Sequence, residues 1–112
     1  MPWELLEWAT EVIRDRKPTV IIEGGATGAD SIAARAAVIL QVPCVVTFKA
    51  DWSMGRRAGP VRNQRMLDEG RPDLVLAFTH PLGISVGTAD MVRRAKRAGV
   101  EVEQVQYPEA AP

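Results

Sequence analysis

Cysteine and histidine are nearly absent from this chain, and neither sign of charge prevails. Cys44 is the only cysteine and His80 the only histidine. One thiol excludes a disulfide within the chain, and one thiol with one imidazole argues against a structural zinc site. His80 has no evident partner for a catalytic dyad, and no Ser-His-Asp or Cys-His nucleophile arrangement can be assembled. Basic and acidic residues, 14 of each, cancel to a formal net charge of zero. That removes any global electrostatic case for nucleic acid or a membrane surface. No apolar stretch approaches the length of a membrane span and no signal-peptide pattern opens the chain, so a cytoplasmic protein is expected. Cys44 heads an apolar run and is expected to be a small buried hydrophobe.

What is present is an ordinary globular balance, with 46% hydrophobic and 25% charged residues. The length suits one domain, expected over residues 1–107 with a disordered tail at 108–112. The chain is organised around Val20-Ile21-Ile22-Glu23-Gly24-Gly25-Ala26-Thr27-Gly28-Ala29-Asp30. A β-branched run breaks at a glycine pair, passes a third glycine and enters an alanine-rich helical pattern. A strand, a Gly-rich turn and a helix N-terminus make a ready anion site, because free N–H groups and the positive end of the helix dipole point the same way.

Spacing predicts the remaining elements. Trp3 to Arg16 reads as a helix, with Pro2 in its first turn, Pro18 closing it, and Leu5, Leu6, Ala9, Val12 and Ile13 on one face. Thr19 to Glu23 is a strand, and Asp30 to Gln41 a helix with a stripe of Ile32, Ala33, Ala36, Ala37 and Leu40. Cys44 to Lys49 is a second strand, Ala50 to Gly59 a loop, and Pro60 to Glu69 a third helix. Asp73 to Thr79 is an uninterrupted apolar run, expected of a strand buried on both faces. Thr88 is a plausible N-cap for a helix to Ala98, and Gly99 stands where a helix-terminating glycine belongs. Val100 to Tyr107 alternates as an edge strand with one wet face.

Alternation of strands and helices predicts an α/β fold, a parallel sheet of about four strands between helical layers. The expected strand order puts Val20 beside Leu74, with Cys44 and Val100 outside them. Ligands of such folds bind where the order reverses. Three clusters are expected at that crevice: Gly24, Gly25, Ala26, Thr27, Gly28 and Asp30; the segment from Asp51 and Trp52 through Arg56 and Gly59 to Arg62 and Asn63; and Gly87, Thr88 and Asp90. Arginine suits phosphate because its planar fork binds bidentately. Arg62 is the preferred anchor, while Arg57 and Arg65 read as surface charges. Trp52 either stacks on a base or serves as a core or lid residue. Asp30 and Asp90 either stabilise helix starts and hold loops, or contact ribose hydroxyls. Trp3 and Trp8 are expected to pack on the sheet or on a second subunit.

In sequence order, Gly24-Gly25-Ala26-Thr27-Gly28-Ala29-Asp30, Ala50-Asp51-Trp52, Gly55-Arg56, Ala58-Gly59-Pro60, Arg62-Asn63, Met66, Pro72-Asp73 and Gly87-Thr88-Ala89-Asp90-Met91 resemble the YspA/cpYpsA-related SLOG family. That domain-of-unknown-function family is found in bacteria and their phages, and the resemblance spans roughly residues 17 to 106. It implies a Rossmann-like fold and a role in binding nucleotides or nucleotide-derived molecules, with no settled reaction or cofactor. The same superfamily holds the LOG phosphoribohydrolases, which cleave an N-glycosidic bond. Arg62-Asn63-Gln64-Arg65-Met66 is similar to their Arg-Lys-x-x-Met segment and places Arg62 on the catalytic arginine. Met91 stands where their catalytic glutamate belongs, with Asp90 one residue early. Family members usually begin with a strand ending in a Gly-Gly-Arg-like turn, whereas this sequence starts at the following helix. Either the start is truncated or the strand and its arginine are missing; a missing strand would expose sheet edge and favour a homodimer. The first reading is therefore a nucleotide-binding sensor or regulator, of the kind deployed in conflict between phage and host. The second is a nucleotide-cleaving enzyme with Arg62 on phosphate and Asp90 or Glu23 as acid/base. A third, a DNA-processing accessory related to DprA, is disfavoured by the zero net charge and the lack of a basic stripe.

Overall fold

A parallel pair of strands cannot be closed by a hairpin, and that constraint organises both halves of this molecule. The computed structural model describes residues 3–80 and 82–108. Pro2 and residues 109–112 of the expected tail lie outside the described residues. The chain forms two units, Met1–Lys49 and Ala50–Pro112. Each contains helix, strand, helix, strand in that order.

In the first unit, α1 (Trp3–Asp15) buries Leu6, Ala9, Thr10 and Ile13, one stripe at helical spacing. Thr10 joins the apolar stripe because its hydroxyl donates to the Leu6 carbonyl one turn earlier, at 2.7 Å. The second helix, α2 (Ala29–Leu40), buries Ile32, Ala36 and Ala37 and packs on both α1 and β1 (Val20–Glu23). Ala9 and Ala36 have no exposed surface, as close approach of backbones requires. α2 ends where Gln41 turns left-handed at φ +55° and donates to the Ala37 and Val38 carbonyls. β2 (Cys44–Thr47) then pairs in parallel with β1, from Val20 against Cys44 to Glu23 against Thr47.

Every residue of β2 is exposed, and Cys44 is an exposed free thiol rather than a buried hydrophobe. Among the described residues β2 pairs along one edge only, and the buried positions of that ladder fall on Ile21 and Glu23 of β1. Trp3 is likewise exposed and Trp8 half-buried.

In the second unit, the expected loop at 50–59 is ordered. Asp51 caps a 3₁₀ helix over Trp52–Arg57, kinked at Gly55. Its carboxylate accepts from the Ser53 N–H at 3.1 Å and the Ser53 hydroxyl at 2.6 Å. The helix α3 (Ala58–Asp68) starts two residues before Pro60 and buries Ala58, Asn63 and Leu67. Proline is tolerated there because the first-turn N–H groups have no intrahelical acceptor in any case.

β3 (Leu74–Thr79) and β4 (Glu101–Gln106) run parallel, from Leu74 against Glu101 to Thr79 against Gln106, and α4 (Val86–Arg97) makes the crossover. β3 is not buried throughout. Only Ala77 and Phe78 are fully covered, the rest half-buried, because among the described residues β4 is its one ladder partner. In β4, Val102 and Val105 are half-buried while Glu101, Gln104 and Gln106 are exposed, as an edge strand requires. Helix α4 begins earlier than expected, so its cap is Ser85 and not Thr88. The Ser85 hydroxyl accepts the Thr88 N–H at 3.2 Å and donates to the Thr88 hydroxyl at 2.9 Å. Gly99 follows the last turn as anticipated, its N–H on the Lys96 carbonyl at 3.1 Å.

The fold is therefore mixed α/β with parallel strand pairs. The ladders realise two of the three expected strand neighbours, β2 beside β1 and β4 beside β3. Ala36→Leu is expected to destabilise the chain by about 1–3 kcal/mol, because a completely buried alanine on the packed face of α2 leaves no room for three more carbons. Urea unfolding of the variant against wild type checks this.

Candidate functional site

β1 ends in a carboxylate that organises the turn after it. Glu23 is buried, and both side-chain oxygens are engaged: Oε2 accepts the Gly25 N–H at 2.6 Å and Oε1 the Thr47 hydroxyl at 2.5 Å. The Phe48 N–H reaches the Glu23 carbonyl at 2.9 Å. One residue thus ties the turn to the end of β2. Gly25 sits at φ +72°, and a Cβ there would lie 3.2 Å from Thr47 Cγ2 and 3.4 Å from Lys49 Cγ. Backbone conformation and space both call for glycine at that position.

Gly28, at φ +83°, takes the N-cap of α2 with no side chain to cap it. The first intrahelical bond runs from Ile32 N–H to the Gly28 carbonyl at 3.0 Å, so the N–H groups of Ala29, Asp30 and Ser31 precede the hydrogen-bonded ladder. Asp30 holds the turn from the helix side, its Oδ2 accepting the Ala26 N–H at 3.2 Å. A concavity of about 330 Å³ opens here, lined by Glu23, Gly25, Ala26, Thr27, Asp30, Ser31 and Ala34.

The structure therefore gathers Gly24, Gly25, Ala26, Thr27, Gly28 and Asp30 as expected. It adds Ser31, Ala34 one helical turn on, Thr47 at the end of β2 and Lys49 just beyond it. The signal for Thr47 is the parallel register that sets it against Glu23, which no local pattern displays.

In the second unit the expected residues form a hydrogen-bonded network. Asn63 is 6% exposed. Its Nδ2 donates to the Gly87 carbonyl at 3.2 Å and to Asp90 Oδ2 at 3.1 Å, while its Oδ1 accepts from Arg62 Nε at 3.0 Å. Asp90 Oδ2 also accepts from Arg94 Nε at 2.8 Å, and Arg93 lies 3.5 Å from Oδ1. Arg94 Nη1 continues the chain to Gln64 Oε1 at 3.0 Å. Arg62, Asn63, Gly87 and Asp90 are thus brought together, with Thr88 at the same helix start. Arg94 and Gln64 are members that sequence spacing alone did not single out.

Partial burial alone would push the Asp90 carboxyl up. Hydrogen bonds from Arg94 and Asn63, with the charges of Arg94 and Arg93, outweigh it and hold the group below its usual range. A carboxyl so placed stays ionised at neutral pH and is poorly suited to give up a proton there. Asp51 is also held low, by its hydrogen bonds from the Ser53 hydroxyl and N–H.

Trp52 is 67% exposed, which excludes the core role and leaves the stacking or lid one. Its ring edge stands 4.0 Å from where a Gly59 side chain would begin. Arg65 pairs with Glu69 at 2.8 Å on the surface, and Arg57 is exposed, as expected for both. Arg56, with Arg57 and Arg65, lines a groove along α3 that also includes Arg94 of α4. Among the described residues no group of three or more His, Cys, Asp or Glu side chains is placed to hold a metal ion. No helix of those residues is long and apolar enough to cross a membrane.

Asn63→Ala is expected to cost about 1–3 kcal/mol in urea unfolding, since the Gly87 carbonyl and Asp90 each lose a buried donor. Asp90 carries a pH signature. Because its folded pKa is depressed, its contribution is complete above the unfolded value of about 3.9 and is lost as pH falls through the lower folded value. The stability difference between wild type and Asp90→Asn should accordingly be constant above about pH 5 and shrink below about pH 4. Unfolding curves across that range test it.

No family model matches the chain, and no solved structure matches it. The chain is 43% identical over 105 residues to the Gene 61 protein of Mycobacterium phage D29, covering 89% of this chain and 80% of the phage protein. At that identity and coverage, the chain belongs to the family of the phage Gene 61 protein.

Proposed function

We propose that this protein is a small nucleotide-binding module, Rossmann-like and of the SLOG kind, encoded by a phage and acting as a sensor or regulator. The observation that carries the reading is the Gly25–Gly28 turn, where an uncapped helix N-terminus opens onto a concavity. Backbone N–H groups at such a terminus attract an anion, and the missing Cβ atoms let it approach. Two carboxylates share the concavity, Glu23 and Asp30. They disfavour a bare phosphate inside it and suit the hydroxyls of a ribose, with phosphate outward at the helix end. The phage relative supports the assignment to a phage. Self-association is part of the proposal, resting on the exposed β2 strand and on Trp3, Val38 and Ile39.

The phosphoribohydrolase alternative has less support. Met91 occupies the glutamate position, and Asp90 is engaged by Asn63 and Arg94. The test is a thermal-shift panel of mononucleotides, NAD, ADP-ribose and cyclic dinucleotides. A ligand at a hundred times its dissociation constant stabilises by about 2.7 kcal/mol, a readily measured shift. Asp30→Asn should weaken any hit at least several-fold while leaving the unliganded melting temperature close to wild type. A flat response across the panel would overturn the proposal.

A further inference from the structure

The second unit carries a groove that the nucleotide reading does not use. It measures about 540 Å³ and is lined by Arg56, Arg57, Pro60, Val61, Gln64, Arg65, Asp68 and Arg94. None of these residues lines the concavity at the Gly-rich turn. Its volume lies in the range of small-molecule sites, roughly 300–1,000 Å³. Four guanidinium groups line this one concavity, and guanidinium is the side chain best shaped to bind phosphate oxygens bidentately.

The four differ in how they are occupied. Arg65 is committed to Glu69, and Arg94 to Asp90 and Gln64. Arg56 and Arg57 are exposed on the 3₁₀ turn, and among the described residues neither makes an ion pair or side-chain hydrogen bond. They stand at adjacent positions beside the start of α3, each with a complete set of donors to offer. Pro60 and Val61 supply an apolar floor, and Val61 is 38% exposed although it lies within a helix. Local charge agrees with this. From Trp52 to Gly99 nine basic residues stand against four acidic ones, an excess that the neutral total conceals. One residue opposes the assignment: Asp68 lines the same groove, its Oδ1 accepting from Gln64 Nε2 at 3.0 Å.

We propose that this groove is an oligophosphate-binding site, in which Arg56 and Arg57 grip a phosphate chain while Pro60 and Val61 bear the group it is attached to. A chain of linked phosphates lets each of the two consecutive forks engage its own phosphate bidentately, where a single phosphate would have to be shared between them. The assignment is independent of the site at the Gly-rich turn and stands or falls without it.

Isothermal titration of the full chain with inorganic tripolyphosphate, and in parallel with ATP, tests the site. The expected result is saturable binding that weakens as salt is raised. The double variant Arg56→Ala/Arg57→Ala should lose roughly tenfold or more in affinity, since each fork gives charge-assisted bonds. It should keep the wild-type melting temperature, because among the described residues neither side chain has a partner to lose. Asp68→Asn should instead tighten binding about two- to fivefold by removing a like charge from the groove. Glu11→Gln, exposed on α1 and lining neither concavity, should leave tripolyphosphate binding unchanged. Undiminished affinity in the double variant, or no gain in Asp68→Asn, would overturn the assignment. So would the absence of binding by both probes, including the case in which only a single-stranded oligonucleotide binds.

Discussion

The parallel pairing of strands is the constraint from which the remainder of this structure follows. A tight turn cannot close a parallel pair, so the chain must leave one end of the sheet, travel back along it and re-enter. It does this twice, through α2 and through α4, and each return leg needs a packed face to hold it. In the first unit that face is the small-residue stripe of Ile32, Ala36 and Ala37. In the second it is Val92 and Ala95, helped by the buried amide of Asn63, which fixes the start of α4 from the neighbouring helix. The same geometry delivers a strand end and a helix start to one place in each unit. Polar chemistry collects there for reasons of topology before any reasons of function.

How much was legible in the sequence follows from the range of the interactions involved. Helices and strands declared themselves through periodicity, because Leu6, Ala9 and Ile13 are separated by single helical turns. The Gly-rich turn was equally plain, its glycines answering to conditions set within a few residues. What stayed hidden depends on partners far along the chain. A run such as Cys44-Val45-Val46 reads as core wherever it lies, and its exposure is decided by how many strands flank it. Asn63 meets Gly87 and Asp90 across two elements, and polar residues carry no periodic mark of burial. The helix cap slipped from Thr88 to Ser85 because both hydroxyls satisfy the same pattern and the helix start selects between them.

Neutrality of the whole chain proves a poor guide to its parts. The concavity of the first unit holds two carboxylates and the groove of the second holds four guanidiniums. Opposite potentials on one small protein cancel in any total and still act locally, because screening confines each field to about 8–10 Å at ordinary ionic strength. The polar networks also differ in purpose. Around Glu23 and Asp30 the bonds fix the glycine turn, two of them local and one reaching across to Thr47 of β2. Around Asn63 and Asp90 they cross from α3 to the first turns of α4 and tie the two helices together.

Cys44 has a practical consequence. It is the one thiol in the chain, it is accessible, and it lies at the start of the strand whose far end abuts the glycine turn. A maleimide fluorophore or a spin label would therefore attach at a single known position without any engineering of the native sequence. From there it would report changes in β2 as the turn responds to its surroundings, which makes the scarcest reactive side chain in the molecule its most convenient reporter.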